Sequence, residues 1–296
     1  MKHYIKLLRP KQWAKNLFLF IPLFFAGKMF DFDKIVILLG GFFAFSFLAS
    51  SIYILNDYRD IEDDKKHPEK KFRPLAAGTV NKNISLLISF ILAIAGFLIG
   101  YYLNPSGKFS FILGLYFVLN LSYSLGLKNI SIVDILIVAA GFLLRVKGGS
   151  VLVNIETTSW LNIMTFLLAL FMSIAKRRDD VMLKLETGTD MRKSIKGYSI
   201  EFLNTLLALF CAILIVSYIN YTVSETGHRN FGHRLYYTSI FVIAGIMRYL
   251  QITFVQNKAG SPTEILYKDR FIQVTLLLWI ASFFVILYLK NVTFFQ

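Results

Sequence analysis

Long uncharged apolar runs alternate with short polar segments along almost the whole chain. Ile35–Leu55, Ile84–Leu103, Phe109–Leu127, Thr157–Ala175, Phe202–Val223 and Phe271–Leu289 carry no charged residue, and each is near the ~20 residues that span a bilayer as a helix. Three further runs are interrupted: about 12–29 by Lys15, about 130–151 by Asp134 and Arg145, and about 235–255 by Arg248. The runs are continuous rather than alternating with period two, so a β-barrel does not compete. The pattern predicts an all-α integral membrane protein of about nine transmembrane helices, one domain over 1–296.

Composition agrees. Hydrophobic residues make up 56% of the chain, Phe alone numbers 29, and mean hydropathy is +0.58. The basic start "MKHYIKLLRPKQWAKN" runs into apolar residues without a small-residue cleavage site, so it is read as retained. A single Cys211, inside an apolar run, excludes an internal disulfide framework.

The net charge of +14 changes meaning once it is mapped. With the N-terminus placed in the cytoplasm, 23 of the 32 Lys and Arg fall on that side, within the N-terminal arm, 57–82, Lys128, 176–199 and 256–270. This is the positive-inside pattern of a multi-pass protein of the cell (inner, cytoplasmic) membrane, and an odd helix count puts the C-terminus outside. The charge therefore argues for lipid and phosphate ligands at the cytoplasmic face rather than for nucleic acid. Two charged cytoplasmic loops, 57–82 and 176–199, are the places for chemistry. The units 35–82 and 157–199, each a helix followed by a charged loop, share a layout.

The first loop reads "NDYRDIEDDKKHPEKKFRPLAAG" over 56–78. If the preceding helix continues, Asp57, Asp60 and Asp64 fall at i, i+3 and i+7 on one face, with Asn56 at its border. Carboxylates gathered at a helix end repel unless a cation is shared among them. Hard oxygen ligands without a Cys or His pair point to Mg²⁺, which binds through carboxylates and substrate phosphates. The same loop then turns basic through Lys65, Lys66, His67, Lys70, Lys71 and Arg73. Pro68, Pro74 and Gly78 give it a turning path that could return these cations over a pyrophosphate.

The second loop, "AKRRDDVMLKLETG" at 175–188, sets Lys176, Arg177 and Arg178 before Asp179 and Asp180. Asp179 and Glu186 would share a helical face, whereas Lys184 stands at i+4 from Asp180, so this segment is richer in phosphate-binding cations than in metal ligands. Lys128 follows a helix holding Asn120, Tyr123 and Ser124, which could serve interhelical hydrogen bonds. Arg145 and Arg248 lie at membrane depth, where a cation implies a polar cavity or a partner; Asp134, three turns before Arg145, is the candidate.

These motifs resemble the UbiA superfamily of intramembrane prenyltransferases. "NDYRDIEDD" is similar to its Asn-Asp-x-x-Asp-x-x-x-Asp motif through Asn56, Asp57, Asp60 and Asp64. The likeness to its decaprenyl-phosphate phosphoribosyltransferase branch also takes in "RPKQWAKN" at 9–16, "YSLGLKN" at 123–129, "GFLLR" at 141–145, "AKRRDD" at 175–180 and "PTEILYKDR" at 262–270. The resemblance implies helices around a central cavity open to the cytoplasm. It further implies Mg²⁺ on Asp57, Asp60 and Asp64, phosphoribosyl pyrophosphate as donor and a polyprenyl phosphate as acceptor within the lipid bilayer. Asn56, Lys15, Lys70, Lys71, Arg73, Tyr123, Lys128, Arg145, Lys176, Arg177 and Asp180 are the expected substrate contacts. The second loop departs from the Asp-x-x-x-Asp of ordinary prenyltransferases. Prenyl transfer from a diphosphate to an aromatic or other small acceptor, and a non-enzymatic carrier of lipid phosphates or anions, are the alternatives.

Overall fold

A computed structural model describes residues 2–66, 70–187, 193–256, 265 and 268–288. Among them, eight helical stretches are long and apolar enough to cross a membrane. After two short helices, α1 (Lys2–Leu7) and α2 (Ile21–Phe25), come α3 (Phe32–Arg59), the short α4 (Ile61–Lys66), α5 (Lys82–Leu103), α6 (Lys108–Leu125) and α7 (Val133–Val153). Then follow α8 (Ser159–Thr187), α9 (Ile200–Val223), the short α10 (Glu225–Phe231), α11 (Ser239–Phe254) and α12 (Arg270–Tyr288). The protein is thus an all-helical, multi-pass membrane protein. Asp31, Asn81 and Ser199 cap the starts of α3, α5 and α9 by accepting backbone N–H bonds, as short polar side chains at these positions do. Residues fall into two compact units, 1–158 and 159–296.

Within the first unit, α3 is the central rod. Gly96 of α5 lets the two backbones close, for a Cβ there would lie 3.0 Å from the Ala44 carbonyl oxygen. Ser89 Oγ, 3.0 Å from Ser51 Oγ and donating to the Ser51 carbonyl at 2.9 Å, ties the same helices. Small residues and hydroxyl pairs of this kind hold helices together where lipid supplies no hydrophobic drive. Phe45 of α3 packs edge-on against Phe109 and Tyr116 of α6.

The expected helix over 12–29 is corrected. Pro10–Phe20 is a 3₁₀ helix of 11 residues, followed by the five-residue α2. The segment is a strap laid antiparallel along α3. Trp13 Nε1 donates to Ser50 Oγ at 3.0 Å, Ser50 Oγ to the Leu8 carbonyl at 2.8 Å, and Asn16 Nδ2 to Ser46 Oγ at 2.8 Å. At about 2.0 Å per residue, a 3₁₀ strap of this length with α2 extends roughly 30 Å, enough to traverse the hydrocarbon core without an α-helix. A 3₁₀ helix of this length has poorer hydrogen-bond geometry than an α-helix and is held by packing against protein. Here α3 and α7 supply it.

Gly149 of α7 shows how close the approach is: a Cβ there would lie 2.0 Å from the Leu19 carbonyl oxygen. Gly149→Ala is expected to destabilise the protein by about 1–3 kcal/mol despite alanine's better helix propensity. Thermal unfolding in detergent checks this, and an unchanged or raised midpoint would contradict it.

The segments expected as charged loops are helical where they begin. α3 and α4 cover 32–59 and 61–66, and α8 continues to Thr187. In the second unit, Tyr218 Oη of α9 lies 2.7 Å from Thr238 Oγ1 and accepts from Trp279 Nε1 of α12 at 2.8 Å.

Candidate active site

The end of α3 and the turn into α4 carry the first acidic motif. Asp60 closes α3 as its C-cap, and its break separates Asp57 from Asp64. Asp57 and Asp64 are buried, with side chains 2% and 4% exposed, whereas Glu62 is 73% exposed. Glu62 pairs with Lys65 one turn away, a surface contact. The three acids singled out by helical spacing are instead met by cations from distant segments.

Arg73 Nη1 lies 3.0 Å from Asp57 Oδ1 and 2.7 Å from Asp64 Oδ2, bridging both. Lys128 Nζ, in the short 3₁₀ turn Leu127–Asn129 that follows α6, reaches Asp60 Oδ2 at 2.5 Å and Asn56 Oδ1 at 3.1 Å. Arg59 locks that approach, since its Nη1 donates to the Ser124 carbonyl at 2.6 Å. Arg9 is the residue that sequence reasoning missed. Its Nη2 donates to Asp57 Oδ1 at 2.5 Å and its guanidinium lies over the Tyr53 ring at 5.1 Å. A lone arginine in a basic N-terminal arm looks like topology charge. Its signals are the following Pro10 and its place at the head of the matching stretch at 9–16, and Arg9 itself adopts a left-handed conformation, φ 53°.

Among the described residues, no three His, Cys, Asp or Glu side chains are gathered closely enough to hold a metal together. Repulsion among the three carboxylates is relieved by cations of the protein itself: Arg73 bridges Asp57 and Asp64, and Lys128 takes Asp60. The donor set nevertheless fits a hard divalent ion. Two carboxylate oxygens already converge on one cationic atom, Arg73 Nη1, within 3.0 Å. Hard oxygen donors that share a cation in this way suit Mg²⁺.

Of the other expected contacts, Lys70 is half-buried and Lys71 exposed, its ammonium 5.2 Å from the Phe72 ring centre. Lys15 and Tyr123 are half-buried. His67 lies outside the described residues, as do the side chains of Lys66 and Glu186. Asn120 bonds along its own helix to the Tyr116 carbonyl.

Arg145 is buried, and its guanidinium is engaged on three sides. Nε donates to Asn16 Oδ1 at 2.7 Å, Nη1 to the Gly141 carbonyl at 2.7 Å and Nη2 to Tyr116 Oη at 2.9 Å. The rings of Phe45, Tyr116 and Phe142 surround it within 5.9 Å. The cation ties the N-terminal strap to α6 and α7. Asp134, the partner the spacing suggested, is not among these contacts, because the strap brings Asn16 to the guanidinium instead.

In the second unit, Arg177 Nη1 pairs with Asp180 Oδ2 at 2.5 Å on α8, while Lys176 is exposed. Arg178, buried, donates through Nε to Asn204 Oδ1 at 2.7 Å and stacks over Phe254. Arg248 pairs with Asp269 at 2.7 Å, joining α11 to the start of α12. These hydrogen bonds hold the Asp269 carboxyl below the usual carboxylate range.

The model of the UbiA prenyltransferase family matches residues 17–272. Decaprenyl-phosphate phosphoribosyltransferase of Mycolicibacterium smegmatis is 33% identical over 292 residues, covering 94% of this chain and 90% of that protein. The enzyme of the same name from Mycobacterium tuberculosis is 30% identical over 282 residues, covering 94% and 92%. A UbiA homologue from Archaeoglobus fulgidus, solved bound to DMAPP and Mg²⁺, has a TM-score of 0.69 over 96% of this chain and 98% of its own, at 19% identity. That last likeness is one of fold.

Proposed function

Because the chain belongs to the UbiA prenyltransferase family, we propose that it transfers 5-phosphoribose from phosphoribosyl pyrophosphate to a polyprenyl phosphate, releasing pyrophosphate. The observation that carries this reading is the match of 30% or more, nearly end to end, to relatives named for that reaction. The second charged segment supports it, since Asp180 is paired to Arg177 rather than standing with a second acid four residues on.

In this reading a lipid phosphate oxygen attacks the anomeric carbon as the bond to pyrophosphate breaks. The phosphate is already ionised at neutral pH, so no strong general base is required. Asp57, Asp60 and Asp64 would hold Mg²⁺, which when bound neutralises charge on the departing pyrophosphate. Arg73, Lys128, Lys70 and Lys71 neutralise the remaining phosphate oxygens, and Asn56 positions Lys128. The basic segments face the cytoplasm, where a phosphorylated sugar donor is available.

The test is transfer of radiolabel from phosphoribosyl pyrophosphate into lipid extract by purified protein in nanodiscs with Mg²⁺. Label that requires added polyprenyl phosphate is expected. Unlabelled lipid, together with turnover of a prenyl diphosphate on an aromatic acceptor, would replace this reading with prenyl transfer.

A further inference from the structure

The acidic site is neutralised from within. Asp57 and Asp64 carry two negative charges, and Arg9, bonded to Asp57, and Arg73, bonded to both, carry two positive ones. Asp60 and Lys128 form a third balanced pair. A divalent cation entering alone would have to displace guanidinium groups from carboxylates and leave them without counter-charge in a largely buried place. Were a diphosphate to enter with the metal, those same guanidinium groups would have phosphate oxygens to take.

We infer that Arg9 is a built-in counter-ion that occupies Asp57 until metal and diphosphate arrive together, then transfers to the phosphate oxygens, so that each ligand strengthens binding of the other. The inference rests on the metal and pyrophosphate reading of this site. Three features suit Arg9 to the role. Its bond to Asp57 is a single-nitrogen contact, leaving other N–H groups of its planar fork for phosphate. Its side chain is 23% exposed while that of Asp57 is 2% exposed, so the arginine can move where the carboxylate cannot. It is also anchored from behind: the Leu8 carbonyl and Trp13 hold the strap to α3 through Ser50, and the Tyr53 ring lies beneath the guanidinium.

The consequence is specific. Removing Arg9 frees an oxygen ligand and deletes a repelling cation, so it strengthens binding of metal alone, and it removes a phosphate partner, so it weakens the help that diphosphate gives. A structural role alone would lower both.

Mn²⁺ binding, followed by the electron paramagnetic resonance signal of the free ion, reads this without any turnover. The full-length protein in detergent is titrated with Mn²⁺ alone and with Mn²⁺ plus inorganic pyrophosphate. Arg9→Gln is expected to bind Mn²⁺ alone roughly tenfold more tightly than the parent and to gain roughly tenfold less from pyrophosphate. Arg73→Gln, on a different segment, is expected to shift Mn²⁺ binding the same way, which keeps the test decisive if Arg9→Gln does not fold. Lys11→Gln, which removes an exposed cation of the same arm and leaves Arg9 and its anchors in place, is expected to resemble the parent. Weaker Mn²⁺ binding in a folded Arg9→Gln or Arg73→Gln protein, or the same shift in Lys11→Gln, would overturn the inference while leaving the metal site standing. Mn²⁺ binding unchanged by Asp57→Asn would overturn the metal site itself.

Discussion

Asp57→Asn is expected to lower phosphoribosyl transfer roughly 10²–10³-fold, the scale on which removing one preorganised electrostatic group at a reacting centre acts. Asparagine keeps the shape and one acceptor oxygen but removes the charge on which Arg9 and Arg73 converge. Two cations then share one carboxylate fewer, and the donor set for a divalent ion loses its most buried member. Asp64→Asn, which Arg73 bridges to the same atom, is expected to fall within the same range. Glu62→Gln is the internal comparison. It lies in the same motif, but its side chain is 73% exposed and its ion pair with Lys65 spans a surface turn, a contact worth little. Activity within twofold of the parent is expected there. The measurement is label transfer at saturating Mg²⁺ with all variants matched for folded protein. Equal losses at Asp57 and Glu62 would show that bulk charge of the segment matters rather than the site.

That contrast also marks what the sequence made legible. Helical spacing picked Asp57, Asp60 and Asp64 out of five acids in eight positions, and these are the ones that cations from distant segments reach. Spacing works here because α3 and α4 keep nearly helical geometry across the Asp60 break. The apolar runs located the long helices for a similar reason: in lipid, backbone self-satisfaction leaves few alternatives to a helix.

The N-terminal strap was not legible, because its apolar content matches that of a spanning helix. What makes it a strap is tertiary: Trp13 and Asn16 find Ser50 and Ser46 on α3, and Gly149 leaves room for the Leu19 backbone. None of these pairings has a sequence period. Arg9 was hidden for a related reason, since the positive-inside rule already accounts for a cation in that arm. Arg145 stands out in the sequence as a cation at membrane depth and through the matching stretch at 141–145, but no spacing shows that the strap brings Asn16 within 2.7 Å of it.

Arg145→Met is expected to cost roughly 2–4 kcal/mol of stability. Two effects oppose each other. Methionine relieves the burial of a cation, and replacing buried charge with apolar volume is often neutral or better. Against that, Asn16 Oδ1 is left in a fully buried place without its donor, at about 1–3 kcal/mol. Contacts with three aromatic faces are lost as well, each worth about 0.5–2 kcal/mol. The losses win because the partners left behind are neutral groups shaped around a guanidinium and cannot repack as a hydrocarbon core. Asn16→Ala is expected to give a smaller loss, and the double variant to fall short of the sum by about 0.5–3 kcal/mol, the coupling typical of residues in one network. Activity separates the two roles open to Arg145. As the anchor of the strap, it should lower transfer in proportion to the loss seen in Asn16→Ala, since both slacken the segment that carries Arg9 to Asp57. As a substrate contact, it should depress kcat/KM far beyond Asn16→Ala at equal folded fraction. Parallel losses in stability and transfer across the cycle are the expected result, and a selective collapse of kcat/KM in Arg145→Met would return this arginine to the substrate.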